Sequence, residues 1–214
     1  IIGRGVLDTE QEVLIVTLVN SAVDNFSNRI NEFITARGLL PRVGYRVRTL
    51  HGLAHDIVRE KPGVVGLEER FSIIDQREAD FIRREAVNAW LAANPHALDE
   101  YFDPEMDESK ADWVRRQQLP YTLESLANAF IRSAKDRRIM PEHLHAQLAD
   151  QPAPLPLAEM GLTIYTDYQR ALAYRGAVDF DDLIRLSLDL LERDPDFRER
   201  LQYRFPYILE DGAQ

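Results

Sequence analysis

The sequence predicts an α/β fold built on a parallel sheet and interrupted by a helical insertion, and three observations lead there. Val13-Leu14-Ile15-Val16-Thr17-Leu18 is a continuous apolar, β-branched run, the mark of a strand covered on both faces. Strand-like and helix-like segments alternate at the start of the chain and return at its end. Between them, from Asp75 to about Ala149, only helical spacing occurs.

Element by element, the run at 13–18 passes through Asn20-Ser21 into Ala22, Phe26, Ile30 and Phe33. Their three- and four-residue spacing predicts a helix ending near Gly38 and Pro41. Tyr45 to Leu50 reads as a second strand, and Leu53, Ala54, Ile57 and Val58 as one face of a second helix, broken at Lys61-Pro62-Gly63. Phe81, Ile82, Glu85, Ala86, Ala89 and Trp90 give a helix ending near Asn94-Pro95. Leu123, Leu126, Ala127, Phe130 and Ile131 give another. Pro152, Pro154 and Pro156 mark a stiff connector that cannot be helix interior. A stripe of Tyr165, Tyr168, Leu172 and Ala173 follows it. Asp179 fits an N-cap, with Asp182 adding negative charge to the first turn of the helix through Leu183–Leu191. Tyr207-Ile208-Leu209-Glu210-Asp211 reads as a short strand ending in acids.

Composition narrows the function classes. The 214 residues carry a formal net charge of −10, which argues against a protein that coats nucleic acid by bulk electrostatics but leaves room for a local track. Zero cysteines exclude disulfides and Cys-ligated zinc or iron–sulfur sites. No apolar run approaches the ~18–20 residues that span a bilayer, and a cytoplasmic location is expected. Bases gather at Arg115, Arg116, Arg132, Lys135, Arg137 and Arg138, and a solvated helix face is the plain reading of such a run.

Four ordered segments carry a more specific signal: Thr17-Leu18-Val19-Asn20-Ser21-Ala22, Thr49-Leu50-His51-Gly52-Leu53, Val178-Asp179-Phe180-Asp181-Asp182-Leu183, and Tyr207-Ile208-Leu209-Glu210-Asp211-Gly212-Ala213-Gln214. Each is weak alone. In this order they resemble the motor core of UvrD/Rep-type (PcrA-like) superfamily 1 DNA helicases, whose stretches read roughly T-F-T-N-K-A-A, T-F-H-S-F, D-F-D-D-L and I-L-V-D-E-F-Q-D. Further similarity lies in Phe71–Asp75 and Tyr165–Ala173. The resemblance implies a partial RecA-like parallel sheet of the P-loop NTPase type with an inserted all-helical subdomain. It divides the chain into residues 1–70 of motor domain 1A, a 1B-like insertion at 71–175, and a return to 1A at 176–214.

The resemblance also implies a 3′-to-5′ helicase or translocase that uses ATP and Mg²⁺, tracks on single-stranded DNA and unwinds duplex DNA. Thr17, Leu18 and Asn20 would lie on the strand track, with Thr49 and His51 on the DNA backbone nearby. Hydroxyl and imidazole groups donate to phosphate oxygens without reading bases. For Thr17 and Thr49, capping of the following helices is an equally open reading, and for His51 a helix-start histidine satisfied by backbone. Asp211 would be the metal-associated carboxylate, through water, and Gln214 the γ-phosphate sensor.

Departures from the pattern set further expectations. No G-x-x-x-x-G-K-[ST] phosphate loop occurs in the sequence, so a piece of a longer protein, binding no nucleotide and hydrolysing no ATP by itself, is expected. Gly212 falls where the family has its water-activating glutamate, and Glu210 cannot substitute because strand neighbours alternate faces. Leu18 replaces an aromatic whose stacking is worth about 1–3 kcal/mol per base. Gly212 and Leu18 together keep open a non-catalytic, helicase-like scaffold, or a DNA- or protein-binding subunit of a helicase–nuclease complex. A sheet edge left uncovered raises the expectation of a homodimer.

Overall fold

The computed structural model describes residues 1–211, and they form two compact units. One is built from Ile1–Glu69 with the segment from Leu186 onward, the other from Arg70–Arg185.

In the first unit, β1 (Val13–Thr17) is the centre of a three-stranded parallel sheet, flanked by β2 (Tyr45–Thr49) and by β5 (Tyr207–Glu210). Its five residues are all buried, and the reason is that both faces are covered. Val13 and Ile15 pack with Ile34 of α1 (Asn20–Thr35) and with Tyr45 and Val47. Leu14 and Val16 pack on the other face against Phe205 and Leu53. A central strand so placed has no polar face to show, hence the unbroken apolar run. In β2 the alternation returns: Tyr45 and Val47 are buried, while Arg46 and Arg48 point to the opposite face and pair with Glu12 at 3.0 Å and Asp56 at 2.8 Å. Leu50, expected at the end of that strand, instead opens α2 (Leu50–Glu60). On the far side, β5 has only β1 as a neighbour among the described residues, and Ile208 and Leu209 are 64% and 52% exposed.

The second unit is mainly helical. Its core is formed where α3 (Gln76–Ala93), α5 (Leu119–Asp136) and α7 (Pro156–Tyr174) pack through Val87, Leu123, Ile164, Tyr165 and Tyr168. Asp75 caps α3 by accepting from the Glu78 N–H at 2.9 Å. Pro156 opens α7, where a missing N–H is no loss. Short helices α4 (Glu108–Trp113) and α6 (Pro141–Ala149) also belong to this unit. A π-helical stretch at Val114–Gln118 joins α4 to α5 just ahead of Pro120, where a proline leaves one helical acceptor without its donor.

The subdomain is not all-helical as expected over 71–175. Ser72–Ile73 forms β3, pairing in parallel with β4 (Ala177–Val178). Two residues of strand are too few to produce a period-2 signal, which is why the sequence hides them. The chain then enters α8 (Phe180–Arg193), within which the division between units falls, and α9 (Pro195–Arg204) leads back to β5.

Candidate functional site: the carboxyl edge of the parallel sheet

Three strands running in parallel bring their carboxyl ends to one edge, the place where open α/β sheets bind ligands. Thr17 and Thr49 are register partners across β1 and β2. Val16 is the register partner of Glu210, and the Asp211 N–H donates to the Val16 carbonyl at 2.9 Å. Segments almost two hundred residues apart in sequence therefore meet at a single edge.

The two threonines do different work there. Thr17 is 1% exposed. Its hydroxyl donates to the Val19 carbonyl at 3.0 Å and accepts from the Val19 N–H at 3.2 Å, which fixes the turn from β1 into α1. Thr49 is the N-cap of α2, its Oγ1 accepting from the Gly52 N–H at 3.0 Å. A Cβ on Gly52 would stand 3.0 Å from that same Oγ1, so a residue without a side chain suits the first turn. Of the readings left open for the threonines, Thr49 takes the capping one; Thr17 shapes the turn ahead of α1, whose N-cap is Val19.

Around these buried or half-buried groups the edge is exposed. Leu18 and Val19 are 64% and 56% exposed. Asn20, the first residue of α1, His51, in the first turn of α2, and Asp211 are exposed as well. Neither α1 nor α2 has an acidic residue in its first turn, so no carboxylate there offsets the partial positive charge of the two helix N-termini at this edge. Such an arrangement receives anionic oxygens from any phosphodiester, whatever base it carries. Gly212 and Gln214, the two positions expected nearest the reaction, lie outside the described residues.

The D-F-D-D-L segment is used differently from what its acids suggest. Asp179 does cap α8, accepting from the Asp182 N–H at 2.8 Å. Yet Asp179 and Asp182 are buried, and both hold Lys135 Nζ, at 2.6 and 2.9 Å. The Tyr168 hydroxyl donates to Asp179 Oδ2 at 2.7 Å, and Arg185 reaches Asp182 Oδ1 at 3.2 Å. Burial pushes the Asp179 carboxyl up, but the Lys135 charge and hydrogen bond, with the Asp182 N–H and the Tyr168 hydroxyl, outweigh it and hold it below the usual carboxylate range. Burial, then the Asp179 charge beside it, raises the Tyr168 hydroxyl. These groups satisfy one another, so the cluster is a brace among α5, α7 and α8 within the second unit. Lys135 was not singled out from the basic run at 115–138, although the sequence carries the signal: Leu123, Ala127, Ile131 and Lys135 recur every fourth residue, continuing the buried stripe of α5.

A parallel α/β unit whose carboxyl edge brings together the segments of Thr17, Thr49 and Asp211, joined to a helical unit, defines the class: the family model described as UvrD/REP helicase N-terminal domain matches residues 3–214, and the chain belongs to that family. Among individual proteins, it is 29% identical over 205 residues to the ATP-dependent DNA helicase PcrA of Leuconostoc citreum, covering 94% of this chain and 23% of that protein. Identity to the ATP-dependent DNA helicase PcrA of Staphylococcus aureus is 24% over 202 residues, covering 94% and 23%. To a probable DNA helicase II homolog of Rickettsia felis it is 25% over 210 residues, covering 97% and 27%. The chain thus spans about a quarter of the length of the curated relatives it matches. No described helix is long and apolar enough to cross a membrane.

Proposed function

We propose that this chain is the first RecA-like motor domain (1A, residues 1–70 and 176–214) with its 1B-like insertion (71–175) of a cytoplasmic, ATP-dependent 3′-to-5′ DNA helicase that tracks on single-stranded DNA. The observation that carries the reading is the meeting of Thr17, Thr49 and Asp211 at one sheet edge, because a motor couples nucleotide to DNA only if both are held by the same rigid edge. DNA backbone contacts come from Asn20, His51 and the N–H groups that open α1 and α2. Thr17 and Thr49 set the two turns, and exposed Leu18 supplies apolar contact in place of ring stacking. Asp211 stands by the Mg²⁺, through water, and Gln214 senses the γ-phosphate.

Sequence features bear on what the chain does alone. With no Gly-Lys-Ser/Thr phosphate loop in its 214 residues and Gly212 at the glutamate position, the isolated chain hydrolyses no ATP and holds no nucleotide of its own. Phosphate release above background, stimulated by DNA, would overturn this. Single-strand binding is weak, indifferent to sequence, and falls with salt because the contacts are to the charged phosphate backbone. Anisotropy with several oligonucleotides across a salt series reads this out, and a strong preference for one sequence would count against it. The exposed β5 edge supports a homodimer by strand pairing, measurable as a concentration-dependent mass. Gly212 in the sequence and the exposed Leu18 favour one second reading, a non-catalytic helicase-like subunit, which intact ATPase activity in the longer protein would exclude.

A further inference from the structure

On the sheet face that carries Leu14 and Val16, between α2 and α9, lies a cleft of about 350 Å³. It is large enough for one amino-acid side chain with adjoining backbone. Leu53 and Leu201 give it an apolar floor, while Arg46, Arg48, Arg59 and Arg204 ring it. We propose that this cleft binds an acidic peptide segment presenting a single aliphatic or aromatic side chain, the side chain resting on the floor and flanking carboxylates meeting the arginines.

Charge complementarity commits the site to that occupant. The chain as a whole carries −10, yet here four guanidiniums outnumber the carboxylates of Glu12, Asp56 and Glu60. Glu12 holds Arg46 at 3.0 Å and Arg204 at 3.4 Å, and Asp56 holds Arg48 at 2.8 Å. Each guanidinium has five N–H donors and a carboxylate engages about two of them. A second carboxylate therefore joins these pairs without displacing the first, onto arginines already ordered. Arg59 is exposed and takes part in none of these pairs.

Nucleic acid fits less well. The one aromatic ring of the lining, Phe205, is 9% exposed and gives no platform for a base, and the rim carboxylates repel a run of phosphates. A peptide carries its charges at intervals, as this rim of both signs requires.

The test is anisotropy on the full 214-residue chain at low salt with a fluorescein-labelled acidic hexapeptide bearing one central Phe. The same peptide with Ser in its place, and an oligo-dT competitor, complete the set. Saturable binding is expected, at least about tenfold weaker for the Ser peptide. Arg59→Glu, a surface change that leaves the circular dichroism spectrum intact, weakens the Phe peptide by about tenfold or more, and Arg59→Lys falls between. Absence of saturable binding overturns the proposal, as does equal binding by Arg59→Glu or by the Ser peptide. Full displacement by oligo-dT overturns it too, in favour of a nucleic-acid site.

Discussion

Lys135 Nζ lies 2.6 Å from Asp179 Oδ2 with its side chain wholly shielded from solvent, so an ammonium ion in the middle of a helical unit is neutralised by the residue that caps the next segment's helix. Asp182 shares the same ammonium at 2.9 Å, and Tyr168 supplies a hydrogen bond to Asp179. Removing one partner of such a cluster leaves a buried charge with nothing to balance it, which costs about 3–5 kcal/mol. Lys135→Met is expected to lower unfolding free energy by that amount in urea titrations. A loss under 1 kcal/mol would mean that the carboxylates find water or another cation.

The same cluster sets a pH dependence. Asp179 is held below the ordinary carboxylate value of 3.8 in the folded chain. A depressed folded value means that the unfolded state takes up the proton first as pH falls. Its stabilising contribution is therefore complete above 3.8 and is lost as pH drops from there through the folded value. Unfolding free energy measured over the acid range should fall more steeply in the parent chain than in Asp179→Asn, which has no carboxyl at this position. Equal slopes would remove Asp179 from the linkage.

Gly161 is a packing glycine. A Cβ built there lies 2.8 Å from Phe130 Cδ2 and 2.9 Å from Cε2 and Cγ, so α7 passes α5 at a distance only hydrogen permits. Gly161→Ala is expected to destabilise by about 1–3 kcal/mol despite the better helix propensity of alanine. In a Phe130→Leu background the loss should shrink, and thermal unfolding of the four chains of that cycle measures the coupling.

What the sequence disclosed follows from how far each signal repeats. Val13–Thr17 was legible because five consecutive buried residues leave no other reading, and the breaks at Lys61-Pro62-Gly63 and Asn94-Pro95 fall where α2 and α3 end. β3 and β4 were not, since two residues have no period. Helices α4 and α9 also went unread; α9, with ten residues, is largely polar and buries Phe197, too narrow a stripe to stand out. At the sheet edge, the resemblance set Thr17, Thr49 and Asp211 in one sheet, and the strands that carry them do pair, while the division of labour between Thr17 and Thr49 needed hydrogen bonds that no sequence prints. Lys135 was concealed by its company: five arginines in the same run overshadowed the four-residue spacing that ties it to Leu123, Ala127 and Ile131.

Capping and DNA contact at Thr49 respond differently to substitution. Its Oγ1 accepts the Gly52 N–H, and replacing a threonine cap with alanine typically costs about 1 kcal/mol. Thr49→Ala should therefore destabilise the chain by about that much and fray the first turn of α2, where His51 sits. Thr49→Ser keeps the oxygen and should keep stability. If Thr49 acts on DNA by shaping that turn, oligonucleotide affinity will follow the cap, reduced in Thr49→Ala and retained in Thr49→Ser. The slope of affinity against salt should be unchanged in both, because no ionic contact is lost. A fall in affinity in Thr49→Ala with no change in urea midpoint would instead assign the hydroxyl to the DNA itself.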